Sequence, residues 1–196
     1  MTHYYSPIQD SELKLNKITA LLRNHEFSFY SGSGVFSVKK IDRGTEILIN
    51  NCVIEKNWSV LDIGCGYGPV GIVIKKSFPS CTITMTDINK RAVMLAKRNA
   101  KLNSVDCNIF TSDLYSKIKG KFNTILTNPP QSAGKEICFK IIEQAKDHLL
   151  KNGILQLVAR HKKGGKSLSI KMEKVFGNIE VIERKSGYRV YTSAKR

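Results

Sequence analysis

The sequence predicts an α/β fold: a doubly wound, mostly parallel sheet with a C-terminal antiparallel β-hairpin. Three observations predict it. From residue 58 onward, short runs of β-branched residues alternate with segments of helical period. The first such run leads through a glycine loop, Gly64 to Gly68, into a helix that starts with Pro69. The chain then closes on two strand-like runs joined by the short turn Lys185-Ser186-Gly187.

Residues 11–24 place Leu13, Lys17, Ile18, Leu21 and Leu22 at helical spacing, which predicts a helix. Glu26 to Ser31 alternates with aromatics and reads as a short strand, punctuated by Gly32 and Gly34. Val35 to Val38 continues as strand or turn. Asp42 has the chemistry of an N-cap for a helix running to about Asn50. Trp58–Ile63, Cys81–Thr86, Asp106–Phe110, Phe122–Thr127, Ile154–Ala159, Ile179–Arg184 and Tyr188–Thr192 read as strands. Pro69–Ser77, Asn89–Asn103, Lys135–Leu150 and Lys166–Phe176 read as helices. The second is amphipathic, with Ala92, Val93, Leu95, Ala96 and Ala100 on one face.

The 196 residues suit a single domain, 1–196, in which an N-terminal helix-and-strand extension (1–50) packs on a core of 51–196. No stretch reaches the roughly 18 apolar residues of a membrane span. The start, Met1-Thr2-His3-Tyr4-Tyr5, carries no secretory pattern, so a cytoplasmic location is expected, with no membrane partner. Cys52, Cys65, Cys81, Cys107 and Cys138 are odd in number and lack zinc-ligand spacing. They read as reduced thiols, and no metal site is expected among them or the four histidines. Net charge is +16, and from Lys151 onward twelve basic residues face three acids, Glu173, Glu180 and Glu183. Such a field attracts polyanions, of which nucleic acid is the usual one.

Residues 62–68 read Asp-Ile-Gly-Cys-Gly-Tyr-Gly, a ligand loop at the carboxyl end of a first strand. Gly66, Gly68 and Gly71 formally match a dinucleotide fingerprint. Asp62 argues against it, because a carboxylate there repels phosphates and suits the ammonium and sulfonium of S-adenosylmethionine. Gly64, Gly66 and Gly68 allow close backbone approach, and Cys65 reads as a small residue that fits between them. Asp87 ends the second strand, where a carboxylate accepts from two ribose hydroxyls. Asp113 follows the third strand and suits the adenine amine. Their neighbours Ile88, Ser112 and Leu114 are expected in the same cofactor pocket.

Asn128-Pro129-Pro130 ends the fourth strand, and two prolines cannot continue a sheet ladder. A ring-attached amine is a poor nucleophile because its lone pair is delocalised. Acceptors aimed at its two N–H bonds, here the Asn128 side chain and the Pro129 carbonyl, direct that lone pair at a methyl donor. These residues together resemble the small-domain methyltransferase family, on the Rossmann-like methyltransferase fold. That family includes small-subunit ribosomal RNA guanine-N2 methyltransferases, and the likeness is greatest to stand-alone archaeal-type members.

The resemblance implies S-adenosylmethionine as cofactor, RNA as partner and methylation of an exocyclic base amine. It also implies that the segment holding Phe36 and Thr45 closes over the methionine end of the donor. The family usually has an aromatic residue after Asn-Pro-Pro to stack on a flipped base; here it is Gln131, leaving stacking to Phe36 or His161. The basic run with Lys162, Lys163 and Lys166 suits an RNA backbone. The alternatives are a protein glutamine-amide methyltransferase, a DNA adenine methyltransferase, a nicotinamide oxidoreductase and a non-catalytic RNA-binding protein.

Overall fold

The computed structural model describes residues 3–196; Met1 and Thr2, the start of the segment read for a targeting signal, lie outside it. Residues 11–24 do not form a helix. β1 (Leu15–Leu22) and β2 (His25–Gly32) make an antiparallel hairpin in unbroken register from Leu15 opposite Gly32 to Leu22 opposite His25. Its two-residue turn, Arg23-Asn24, has φ of 45° and 63°, the twist that tight hairpins require. Ile18 and Leu22 are buried while Leu21 is 71% exposed, so the period in force is two.

Among the described residues the outer edge of β2 has no strand partner. Two asparagines one helical turn apart take that place. Asn99 accepts from the Tyr30 N–H (2.7 Å) and donates to the Tyr30 carbonyl (2.8 Å). Asn103 does the same for Ser28, at 3.3 and 2.8 Å. Residues 35–38 are irregular, with bends at 35, 36 and 38, rather than a strand. They lead to α1 (Arg43–Asn51), capped by Asp42.

The remaining strands form one seven-stranded sheet. β3 (Ser59–Ile63), β4 (Thr82–Asp87), β5 (Asn108–Thr111), β6 (Phe122–Thr127) and β7 (Leu149–Arg160) are parallel. β8 (Glu180–Lys185) and β9 (Tyr188–Ala194) form the expected antiparallel addition, in the order β5-β4-β3-β6-β7-β9-β8. This is the Rossmann-like methyltransferase architecture. The order reverses between β3 and β6, and in open α/β sheets that point opens the ligand crevice.

α1, α2 (Pro69–Ser77), α3 (Lys90–Leu102) and the hairpin share one core cluster, while α4 (Lys135–Ala145) and α5 (Lys166–Phe176) share another. Alternation along β3 feeds both, with Val60 in the first and Leu61 in the second. Each such fully buried side chain stabilises the fold by roughly 1.5–3 kcal/mol. α4 stops at Ala145, short of the predicted Leu150. Leu149 and Leu150 continue the helical period but alternate buried and exposed in β7. β7 then bulges through Asn152 (φ 62°) and Gly153, where an added Cβ would meet the Phe122 carbonyl at 2.9 Å. No helix among the described residues is long and apolar enough to cross a membrane.

Candidate active site

A cleft of about 700 Å³ opens at the carboxyl ends of β3, β4, β5 and β6. Its floor is the glycine loop. The Gly64 and Cys65 N–H groups both donate to the Thr86 carbonyl, at 2.8 and 2.9 Å, which ties the loop to β4. Gly64 and Gly66 have φ of 72° and 57°, and a Cβ on either would meet nothing within 4 Å. Their side therefore faces open cleft. Gly68 does not line the cleft, against its assignment from sequence. A Cβ there would meet Met85 at 2.7 Å and Ile72 at 2.9 Å, and one on Gly71 would meet Met85 at 2.6 Å. These two glycines let α2 pack on β4. Two of the three glycines of the dinucleotide-like spacing thus serve packing.

The carboxyl ends of three strands, β3, β4 and β5, bring Asp62, Asp87 and Asp113 to the cleft. Asp87 accepts from the Gly66 N–H and the Asn89 N–H, both at 2.8 Å, so it shapes the loop as well as facing the cleft. Burial raises its pKa above the ordinary carboxylate value. Asp62 accepts from the Gly71 N–H at 3.0 Å, doing from β3 the capping that Gly68 cannot do for α2. Burial, opposed by the Gly71 bond and reinforced by the Asp87 charge, pushes it up to about 7. Ser112 is buried and folds back on the Leu114 carbonyl (2.9 Å); Asp113 is exposed on the same wall, and Ile88 and Leu114 add apolar surface.

Asn128 faces the cleft from the end of β6. Its Nδ2 donates to Asp42 Oδ2 (3.0 Å) and Thr45 Oγ1 (2.9 Å), so both protons are used and Oδ1 is left for a ligand. The Pro129 carbonyl already accepts from the Gln131 N–H at 2.8 Å and retains one lone pair. Pro130 lines the cleft beside Gln131. The Gln131 Nε2 is buried without a partner, and a Cβ on Gly164 would lie 3.3 Å from it, so this side chain reaches the turn after β7.

Phe36 and Thr45 line the cleft as expected. His161, Lys162, Lys163 and Lys166 do not; they lie in the adjoining wide turn 161–165 and the start of α5. His161 shares a 2.8 Å hydrogen bond with the Tyr191 hydroxyl. Desolvation, with Arg189, Lys166, Lys162 and Arg184 around it, lowers its pKa and favours the neutral imidazole.

The sequence reading missed Tyr4, Tyr5, Arg160 and Tyr188, all of which line the cleft. Tyr4 packs 5.3 Å from Phe36 and bonds Ser132 at 2.8 Å, while Asn89 holds the Tyr4 carbonyl at 2.7 Å. The Arg160 guanidinium lies 5.0 Å from the Tyr188 ring centroid. The Tyr4-Tyr5 pair in a polar segment was the available signal; Arg160 and Tyr188 had none.

The profile of the family described as "Methyltransferase small domain" matches residues 26–192. The chain belongs to that family. Its cofactor is S-adenosylmethionine, and the nicotinamide reading falls away. The Bacillus subtilis (strain 168) protein YbxB is 40% identical over 98% of both chains. A Haemophilus influenzae (strain 86-028NP) protein named ribosomal RNA small subunit methyltransferase C is 36% identical over 85% of this chain and 51% of its own length. The chain thus spans about half the length of the methyltransferase C relatives it matches. Among solved structures, a Thermus thermophilus 16S rRNA N2 G1207 methyltransferase aligns with a TM-score of 0.80 at 20% identity. That alignment covers 95% of this chain and 52% of the other, and it shows the fold.

The cleft of this small-domain methyltransferase fits the cofactor. It offers open glycine backbone, carboxylates for cationic and hydroxyl groups, and apolar walls at Ile88 and Leu114. One pH dependence follows. A cationic donor favours ionised Asp62, so binding lowers the Asp62 pKa and releases a proton. Donor affinity is therefore expected to rise with pH by up to about tenfold per unit, levelling off above about 7. Calorimetry with S-adenosylmethionine below and above neutrality checks this. The same slope in Asp62→Asn would remove Asp62 as its source.

Proposed function

We propose that the protein methylates an exocyclic amine of a ribosomal RNA base, guanine N2. The observation that carries this reading is the fixed orientation of Asn128, whose amide nitrogen is fully engaged while its oxygen faces the cleft. The names of the methyltransferase C relatives support the substrate, as does the +16 charge.

S-adenosylmethionine supplies an electrophilic methyl group when bound. The protein's own residues do the rest. Gly64, Gly66, Asp87 and Asp62 bind the donor's backbone-facing, hydroxyl and cationic parts. Asn128 Oδ1 and the remaining lone pair of the Pro129 carbonyl hold the two N–H groups of the acceptor amine and turn its lone pair outward. Pro129 and Pro130 keep those acceptors rigid. Gln131 offers no aromatic face; of the rings lining the cleft Tyr67 and Tyr188 are buried, which leaves Tyr4, Tyr5 and Phe36 for stacking.

The test is transfer of labelled methyl from S-adenosylmethionine to total RNA, ribosomal subunits and protein, with nucleoside analysis of the product. N2-methylguanosine in small-subunit RNA is the expected result. Label in protein, as a glutamine-amide enzyme would give, or in a different nucleoside overturns it.

Lys162, Lys163 and Lys166 are exposed, and none forms an ion pair with a carboxylate among the described residues. We expect them to hold RNA phosphates beside the cleft. Replacing all three by Ala should reduce the log–log salt slope of RNA binding by about 2, from about 0.7 per single-strand contact. RNA affinity measured against salt concentration reads this directly. Parallel lines for wild type and variant would move the RNA surface elsewhere.

A further inference from the structure

The start of α1 does more than begin a helix. Asp42 Oδ2 accepts the Thr45 N–H at 3.0 Å, the bond expected of an N-cap. The same oxygen accepts from Asn128 Nδ2 at 3.0 Å, from a residue 86 positions away. Thr45, the residue whose N–H that cap holds, takes the other Asn128 proton on its Oγ1 at 2.9 Å. Capping accounts for the first bond only. Gly44 keeps this corner tight: a Cβ there would lie 2.8 Å from the Tyr188 ring and 3.0 Å from Asp42 Oδ2.

The chemistry of a carboxamide gives these bonds a consequence. Its two ends are nearly the same size, so shape alone does not decide which faces the cleft. A carboxylate only accepts, so the nitrogen end must face Asp42 and the oxygen end must face the substrate. A flipped amide would present N–H groups to an amine whose own N–H groups need acceptors. We propose that Asp42, together with Thr45, is a positioning residue for methyl transfer: it fixes the Asn128 amide with its oxygen toward the acceptor amine. The proposal rests on the reading of Asn128 as the group that holds that amine. The carboxylate adds a second effect. Its charge-assisted bond polarises the amide, and its negative charge lies behind the amine that becomes positive as the methyl arrives.

Three variants separate these roles. Asp42→Ser keeps an oxygen that caps α1 but is too short for Asn128. Asp42→Asn keeps an oxygen within reach of both partners and loses the charge. Thr45→Val removes one acceptor without changing shape. Three quantities are read: affinity for S-adenosylhomocysteine, kcat and KM for transfer to small-subunit RNA, and the side-chain amide resonances of Asn128 in the free protein.

The expected result is little change in KM, and little change in S-adenosylhomocysteine affinity in the two Asp42 variants. The kcat falls about 100-fold in Asp42→Ser and about tenfold in the other two. The Asn128 amide resonances shift and exchange faster in Asp42→Ser and Thr45→Val. Wild-type kcat with unchanged resonances in Asp42→Ser reduces Asp42 to a helix cap and overturns the proposal. A parallel loss of S-adenosylhomocysteine affinity in all three also overturns it, by assigning the effect to the fold of the cleft. If the wild-type protein methylates no RNA, the proposed substrate fails, and the resonances still decide whether Asp42 orients the amide.

Discussion

Asn128→Ala is expected to lower the rate of methyl transfer by about 100- to 1,000-fold, the usual cost of removing one preorganised polar group from a reaction centre. S-adenosylhomocysteine affinity should stay near that of the wild type. On the proposed mechanism the Asn128 oxygen meets the acceptor amine, while the glycine loop, Asp62 and Asp87, which also line the cleft, serve the donor. The fold should survive, since Asp42 retains its bond to the Thr45 N–H and goes on capping α1. Single-turnover rates at saturating RNA isolate the chemical step. A variant that turns over normally would sink the acceptor role and leave Asn128 as a structural link between β6 and α1.

Asp87→Ala should have the largest effect on donor binding. A carboxylate has about four lone-pair sites. Three backbone N–H groups, of Gly66, Ile88 and Asn89, already bond this one, which also lines the cleft. The substitution therefore removes the partners of the donor hydroxyls and also frees the glycine loop that carries the donor. Charge-assisted hydrogen bonds are each worth about 1.5–3 kcal/mol, so two lost bonds predict at least a hundredfold weaker affinity. Asp87→Asn keeps one acceptor oxygen and should fall between. Calorimetry with S-adenosylhomocysteine measures both, and wild-type affinity in Asp87→Ala would place Asp87 outside the site.

Where the chain carries its own punctuation, its structure was legible. Pro69–Ser77 is bounded by a glycine loop and a proline, and Phe122–Thr127 ends at two prolines; both elements have the bounds read from sequence. Asp62, Asp87 and Asn128 were legible as cleft residues for a related reason. Each lies in or at the end of a strand of a parallel sheet, where the fold gathers its ligands. The hairpin was not legible as such. Leu13, Lys17 and Leu21 have a helical period while Ile18, Ala20 and Leu22 alternate, and the pattern alone does not choose. Burial against α3 and the positive φ of Arg23 and Asn24 decide it.

Other features depend on tertiary contacts with no local signature. Nothing near Arg160 or Tyr188 in sequence shows that they meet at the cleft. Asp42 could be read as a cap from its neighbours, but its bond to Asn128 requires the folded chain. Gly68 was misplaced because a glycine that admits a ligand and one that admits a methionine look alike until the methionine is seen.

The asparagine that pairs with the edge of β2 has a further consequence. The Asn99 Nδ2 that donates to the Tyr30 carbonyl also donates to the Tyr67 carbonyl, at 2.8 Å, inside the donor loop. One amide group is thus a shared hinge pin between an apparently peripheral hairpin and the floor of the cleft. Loosening the hairpin withdraws support from Tyr67, so strain or truncation at residues 15–32 is transmitted to the donor site through Asn99 and through Phe29, whose ring packs 6.0 Å from that of Tyr67. In an evolutionary sense the hairpin is not a removable ornament, because any lineage that sheds it must find another anchor for Asn99.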